Sequence, residues 1–180
     1  MTKRSLTIVT IMLSLVAAAA IAGPAAQGRS QADGTPSPAA NGIVDGLVVV
    51  ESAHGVAETL DRLAAMLEAN GVTVVARVDH AANAAGTGED LRPTQLLIFG
   101  NPMLGTPLMQ SAQTIGIDLP QKFLAWEDEG GQVHLAYNDP FFLAERHGID
   151  DQDDVLQQIA DTLAMLAEGA AAPAEGTPAA

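Results

Sequence analysis

The chain has 180 residues, no cysteine and a formal net charge of −14 at pH 7. Without cysteine there is no disulfide, no thiolate metal ligand, no thiol nucleophile and no acylated lipoprotein anchor, so an ordinary apolar core must supply the stability. The acid excess repels phosphate backbones and anionic headgroups, which argues against nucleic acid and, once a targeting segment is gone, against a membrane surface as partner.

The first residues read as that targeting segment. Lys3 and Arg4 form a basic start, Leu6 to Ala20 is almost wholly apolar, and Ala20-Ile21-Ala22 offers small residues for a signal peptidase. The apolar run is shorter than the ~20 residues that span a bilayer, so a cleaved signal over 1–22 is preferred to a retained anchor, and the mature chain is expected to be periplasmic or secreted. Gly23 to Asn41 is Ala, Gly, Pro, Ser and Gln with little to bury, a disordered linker. A disordered Ala/Pro/Gly tail is expected over 169–180, which leaves 42–168 as one domain.

Ile43 to Glu51 becomes β-branched toward its end and predicts a strand. Val56, Leu60, Leu63 and Leu67 recur at helical spacing, with Gly55 at the N-cap and Asn70-Gly71 as the stop. Val72 to Asp79 alternates, which predicts a strand with Val72, Val74, Ala76 and Val78 on one apolar face. Ala81 to Leu91, small and polar, predicts a loop with room for one helical turn, and Thr94 to Phe99 a central strand. Thr106 and Pro107 suit an N-cap and first helical position, so a helix is expected from Pro107 to about Ile115.

Lys122 to Glu127 and Gln132 to Asn138 predict a hairpin around Asp128-Glu129-Gly130-Gly131, with Trp126 and Tyr137 able to share a sheet face. A helix over Pro140 to Arg146 ends at Gly148. A last helix starts among Asp150, Asp151, Asp153 and Asp154, where the helix dipole favours acids, and carries one stripe of Leu156, Ile159, Leu163 and Leu166. The fold class expected is α+β: a two-layer sandwich, mostly antiparallel sheet with helices on one face.

Catalytic signatures are absent. There is no Gly-x-Ser-x-Gly, no His-Glu-x-x-His, no P-loop and no EF-hand, and Gly86-Thr87-Gly88 lacks the rest of a dinucleotide fingerprint. The four histidines, His54, His80, His134 and His147, show no ligating spacing, so no cofactor and no metal is expected, although histidines that converged in space would form a metal site. Gly100-Asn101-Pro102 fits a tight turn; the competing reading is an anion held by free N–H groups near Gly105 and Thr106.

In combination, Glu58-Thr59, Asp79-His80-Ala81, Pro93-Thr94, Phe99-Gly100-Asn101-Pro102, Gly105-Thr106-Pro107-Leu108-Met109, Asp118-Leu119-Pro120, Trp126-Glu127-Asp128, Tyr137-Asn138 and Arg146-His147 resemble the family called domain of unknown function 302. Gly55 departs from it, since that pattern tends to have serine there. The resemblance implies a compact α/β domain, a homodimer, and no agreed activity.

Three classes therefore stand: a periplasmic small-molecule binding module, a protein-interaction module, and an enzyme of unrecognised type in which His80 or His147 acts as acid/base beside Asp79. The stripe of the last helix is the candidate dimer surface, with docking onto its own sheet as the alternative. If the strand ends share one edge of the sheet, Asp79, His80, Asn101, Tyr137, Asn138, Arg146 and His147 converge on a pocket.

Overall fold

In the computed structural model, residues 44–173 are described. The expected signal and linker lie outside them. The elements are β1 (Leu47–Ser52), α1 (Val56–Ala69), β2 (Thr73–Asp79), α2 (His80–Ala85), β3 (Thr94–Gly100), α3 (Pro102–Ser111), a 3-10 helix (Gln113–Ile117), β4 (Gln121–Glu127), β5 (Val133–Asn138), α4 (Pro140–His147) and α5 (Asp153–Ala171). The five strands form one open sheet in the order β1-β5-β4-β3-β2, and every pairing is antiparallel. The α+β architecture is as expected.

The core lies between the sheet and α1 and α5. Val50, Leu135 and Ala125 are in register across β1, β5 and β4, and Val48, Tyr137, Phe123 and Leu97 across β1, β5, β4 and β3. Onto these rows pack Leu60, Leu63 and Leu67 of α1 and Leu156, Ile159, Leu163 and Leu166 of α5, all buried. Phe123 is the centre, stacked on Phe99 with centroids 5.4 Å apart and edge-on to Tyr137 at 5.2 Å. The stripe of α5 is thus consumed by its own domain and is not a free dimer surface.

Several expectations need correction. The β2 register shifts between Val74 and Ala76. An extra residue flips side-chain parity, because strand side chains alternate with period two. Val72 and Val74 therefore pack on the core, while Ala76 and Val78 pair with Ile98 and Leu96 on the other face. Trp126 opposes His134 and stacks on it, whereas Tyr137 opposes Phe123, so Trp126 and Tyr137 occupy opposite faces.

Helix α3 starts one turn earlier than expected. Asn101 is its N-cap, its Oδ1 accepting from the Met103 N–H at 2.9 Å, and Pro102 takes the first helical position. Pro107 falls inside the helix and has no N–H to give the Met103 carbonyl. The helical turn allowed for after β2 is α2, six residues that begin at His80 with Asp79 as the cap.

Helix α5 runs on to Ala171, past the 169 expected as the start of the tail, and 174–180 lie outside the described residues. The α5 carbonyls of Gly169 and Ala170 accept from the Arg62 guanidinium at 3.2 and 3.0 Å, and His54 Nε2 lies 2.7 Å from the Ala172 carbonyl. Such partners satisfy the orphan carbonyls of a helix end and hold it against α1.

Gly55 caps α1 with extended backbone (φ −64°, ψ 161°) and no side-chain hydrogen bond. An added Cβ there would meet nothing within 4 Å. Gly55→Ser should therefore stabilise the protein by roughly 0.5–1 kcal/mol, through the missing cap bond and a less flexible unfolded chain. Urea titration of the two proteins measures it; a destabilised serine variant would contradict the cap geometry.

Candidate functional site

The expected convergence does not form, and the antiparallel topology is the reason. Thr73 of β2 pairs with Gly100 of β3, and Asp79 with Gln95. The end of β2 therefore lies at the opposite sheet edge from the end of β3, roughly 20 Å away at strand rise. Asp79 and His80 sit at one edge. Asn101 and Tyr137-Asn138 sit at the other, since Tyr137 pairs with Phe123 near the start of β4, which adjoins the end of β3.

Each of these residues has local work. Asp79 caps α2, accepting from the Ala82 N–H at 2.8 Å, and its other oxygen accepts from Gln95 Nε2 at 2.9 Å. Asn101 caps α3. Tyr137 is buried in the core, where desolvation first, then Asp139 and Glu168, raise its pKa. Asn138 closes the β1–β5 ladder opposite Leu47. The N–H groups on which the competing anion reading relied are occupied near Gly105: both the Leu104 and Gly105 N–H donate to the Asn101 carbonyl, at 3.0 and 3.1 Å. No anion cradle exists at that point.

Arg146 and His147 do converge, but on a residue outside the expected set. His147 Nε2 lies 2.6 Å from Asp118 Oδ2, and Arg146 Nη1 donates to Asp118 Oδ1 at 3.3 Å. The second ring nitrogen, Nδ1, lies 2.9 Å from Thr114 Oγ1. Lys122 Nζ donates to the Asp118 and Pro120 carbonyls at 2.6 and 2.8 Å; burial lowers its pKa, against a weaker upward pull from Asp118. The arrangement ties the C-terminus of α4 to the segment that follows the 3-10 helix. A hydroxyl, an imidazole and a carboxylate in series have the form of an acid–base relay. Both imidazole nitrogens are engaged, however, and the side chain is only 7% exposed. Asp118 was visible in the sequence only as part of Asp118-Leu119-Pro120; its partners lie 28 and 29 positions away.

The other histidines are paired separately. His54 Nδ1 meets Glu58 Oε1 at 3.0 Å, and His134 Nε2 meets Asp128 Oδ2 at 2.9 Å. Among the described residues no group of three His, Asp or Glu side chains could hold one metal ion. Asp128 also accepts from the Gly130 and Gln132 N–H groups, shaping the hairpin turn. Its pKa is lowered, chiefly by the His134 hydrogen bond and then by Gln132. A depressed carboxyl contributes stability above its unfolded pKa and loses it as pH falls through the folded value. Asp128→Asn should therefore flatten the acid limb of the stability curve below about pH 4. Melting temperatures from pH 2 to 6 test this; parallel curves for the two proteins would contradict it.

A large concavity among the described residues was not anticipated. A cleft of about 640 Å³ opens between α3 and α5. Its walls come from the end of α1 (Leu67, Asn70), the β2 start, the β3 end (Phe99 to Asn101), α3, the Leu119–Gln121 segment and α5 from Gln158 to Leu166. Leu67, Phe99, Leu163 and Leu166 form buried parts of the wall. Val75 and Met165 lie at its exposed parts, at 59% and 51% exposure. No charged residue lines it. Of the seven residues expected to converge on a pocket, only Asn101 lines it. Its oxygen is committed to the cap, which leaves its NH2 group able to donate.

Comparison with known proteins places these features in a family. The model of "Domain of unknown function DUF302" matches residues 48–166. The chain is 53% identical over 118 residues to proteins named Fluoride-specific ion channel FluC 1 in Brucella suis biovar 1 (strain 1330) and Brucella abortus biovar 1 (strain 9-941). The match takes in 66% of this chain but only 46% and 44% of those proteins, so the chain spans less than half the length of these curated relatives. The crystal structure of an uncharacterized conserved protein DUF302 from Bacillus stearothermophilus superposes with a TM-score of 0.64 at 20% identity, over 71% of this chain and 99% of that one. At that identity the likeness concerns the fold.

Proposed function

The chain belongs to the family described as Domain of unknown function DUF302, and from that footing we propose that it is a small exported binding domain whose site is the cleft between α3 and α5. The observation that carries this is the cleft itself: about 640 Å³, walled largely by apolar side chains, with a few amides and hydroxyls among them. Ligand sites have this size and composition. The relatives' channel name is not carried over, because the matched segment is less than half of each of those proteins.

A ligand that binds only the native state raises the melting temperature by mass action. The test is a thermal-shift panel of chemically varied small molecules, with zinc, copper and fluoride included. A hit that weakens when Met165 is replaced by Lys supports the cleft. Hits indifferent to that change, or no hit at all, count against it. Export is tested separately, by N-terminal sequencing of the periplasmic protein: a start at or near Gly23 supports it, an intact Met1 in the membrane fraction opposes it.

The partner proposed is a second copy of the chain. With α5 docked at home, the candidate surface is the sheet face away from α1 and α5. There Val49, Ala136, Leu124, Leu96 and Val78 align in register across all five strands. Val49 is 45% exposed. An uncharged row suits self-association of an acidic chain better than its charged surroundings do. Sedimentation at tens of micromolar should show a dimer that Val49→Arg disperses; a monomer throughout would remove the idea.

The acid–base alternative now rests on His147 with Asp118, not on Asp79. It requires an accessible imidazole, and this one is shielded with both nitrogens occupied.

A further inference from the structure

Resting on the binding role proposed for the cleft, the chemistry of its wall points to a ligand class. The chain is 17% charged, yet no Asp, Glu, Lys, Arg or His lines the cleft. An ion that gave up water for the buried floor of Leu67, Phe99, Ile159, Leu163 and Leu166 would find no counter-charge there, so the floor favours a neutral body over ions of either sign. The hydrogen-bonding side chains it does offer are carboxamides and hydroxyls: Asn70, Asn101, Gln121 and Gln158, with Thr73, Thr106 and Thr162. The free NH2 of Asn101 is a donor, and a ligand oxygen is its natural counterpart. Met109 and Met165, with flexible thioether chains, line the same space and suit an apolar body of adaptable shape. Addition of a peptide strand along the β2 edge is less suited to this place, because the register shift at Val74/Ala76 interrupts the edge.

We propose that the cleft takes a neutral, mainly apolar small molecule bearing a single uncharged oxygen function, an amide, ester or alcohol, rather than a carboxylate, an ammonium or a metal ion.

The test uses three probes of equal chain length, dodecanamide, dodecanoate and dodecylammonium, each displacing the neutral fluorophore N-phenyl-1-naphthylamine from the purified chain. Dodecanamide should bind at least roughly tenfold tighter than either ion. Met165→Lys, at a half-exposed wall position, should weaken dodecanamide and strengthen dodecanoate. Circular dichroism checks that the variant is folded, and Val75→Lys provides a second wall position should it not be. An ion that binds as well as the amide, with the Lys variants altering it, would overturn the ligand class while leaving the binding role intact. Absence of binding by all three probes would overturn the ligand class; the broader thermal-shift panel then decides the binding role by itself. Self-association abolished by Met165→Lys, with no probe bound, would assign the cleft to a second copy and overturn both.

Discussion

Phe123→Ala should cost about 4 kcal/mol, the largest effect expected of any single change in this domain. The side chain is fully buried and touches an aromatic ring on each side, Tyr137 directly opposite on β5 and Phe99, two positions along from its partner Leu97, on β3. Truncation removes the burial of the ring and leaves a cavity that three paired strands cannot close, and it breaks two ring contacts worth about 0.5–1.5 kcal/mol each beyond their area. Against a total stability of about 5–15 kcal/mol, the loss is a large share. Chemical denaturation measures it. Phe141, 41% exposed on α4, provides the contrast; Phe141→Ala should cost under about 1 kcal/mol. Equal losses at the two positions would mean that Phe123 is not the centre of the core.

Asp118→Ala should cost about 3 kcal/mol, although the residue lies in a connecting segment between the 3-10 helix and β4. Its carboxylate accepts from Arg146 and faces His147, and its own side chain is only 14% exposed. Removing it strands a His147 ring nitrogen in a nearly sealed position, and unmet polar groups there cost more than the average hydrogen bond gains. Asp118→Asn keeps an acceptor and should lose less than half as much. The Arg146 side chain is 55% exposed, so Arg146→Ala should stay below about 1 kcal/mol. That ranking, Asp118→Ala well above Asp118→Asn and Arg146→Ala, distinguishes a buried pin from a surface ion pair. If all three variants fell within error of wild type, the cluster would hold nothing in place. Hydrogen exchange adds a local readout: protection at the C-terminus of α4 and in the 3-10 helix should fall before protection in β3 and β4.

Local chemistry was legible in the sequence because each signal concerns neighbours along the chain. Gly55 and Asn70-Gly71 bracket α1, Asp139-Pro140 opens α4 and Gly148 in the left-handed region closes it, and Asp128 with Gly131 turns the hairpin. Such groups satisfy or terminate backbone hydrogen bonds within a few residues, so their types and spacing carry the information. The same logic, applied one turn too late, put the start of α3 at Thr106 instead of Asn101, since Asn-Pro and Thr-Pro are both sound cap pairs.

What the chain's own order could not state is what lies far apart along it. Whether two strand ends share an edge depends on direction of pairing, and an all-antiparallel sheet sends the end of β2 away from those of β3 and β5. Whether Val74 and Val78 share a face depends on one unpaired residue in β2, which alternation cannot reveal. Asp118 meets Arg146 and His147 only because the 3-10 helix and α4 pack together, and the cleft exists only where α1, α3, α5 and two strand ends leave a gap. Sequence alone therefore determined the strands, most of the helices and their caps, and the acidic character of this protein, all set by near-neighbour hydrogen bonding and side-chain type. Tertiary structure decided register, face and convergence, because those follow from long-range packing that many local patterns would satisfy equally well.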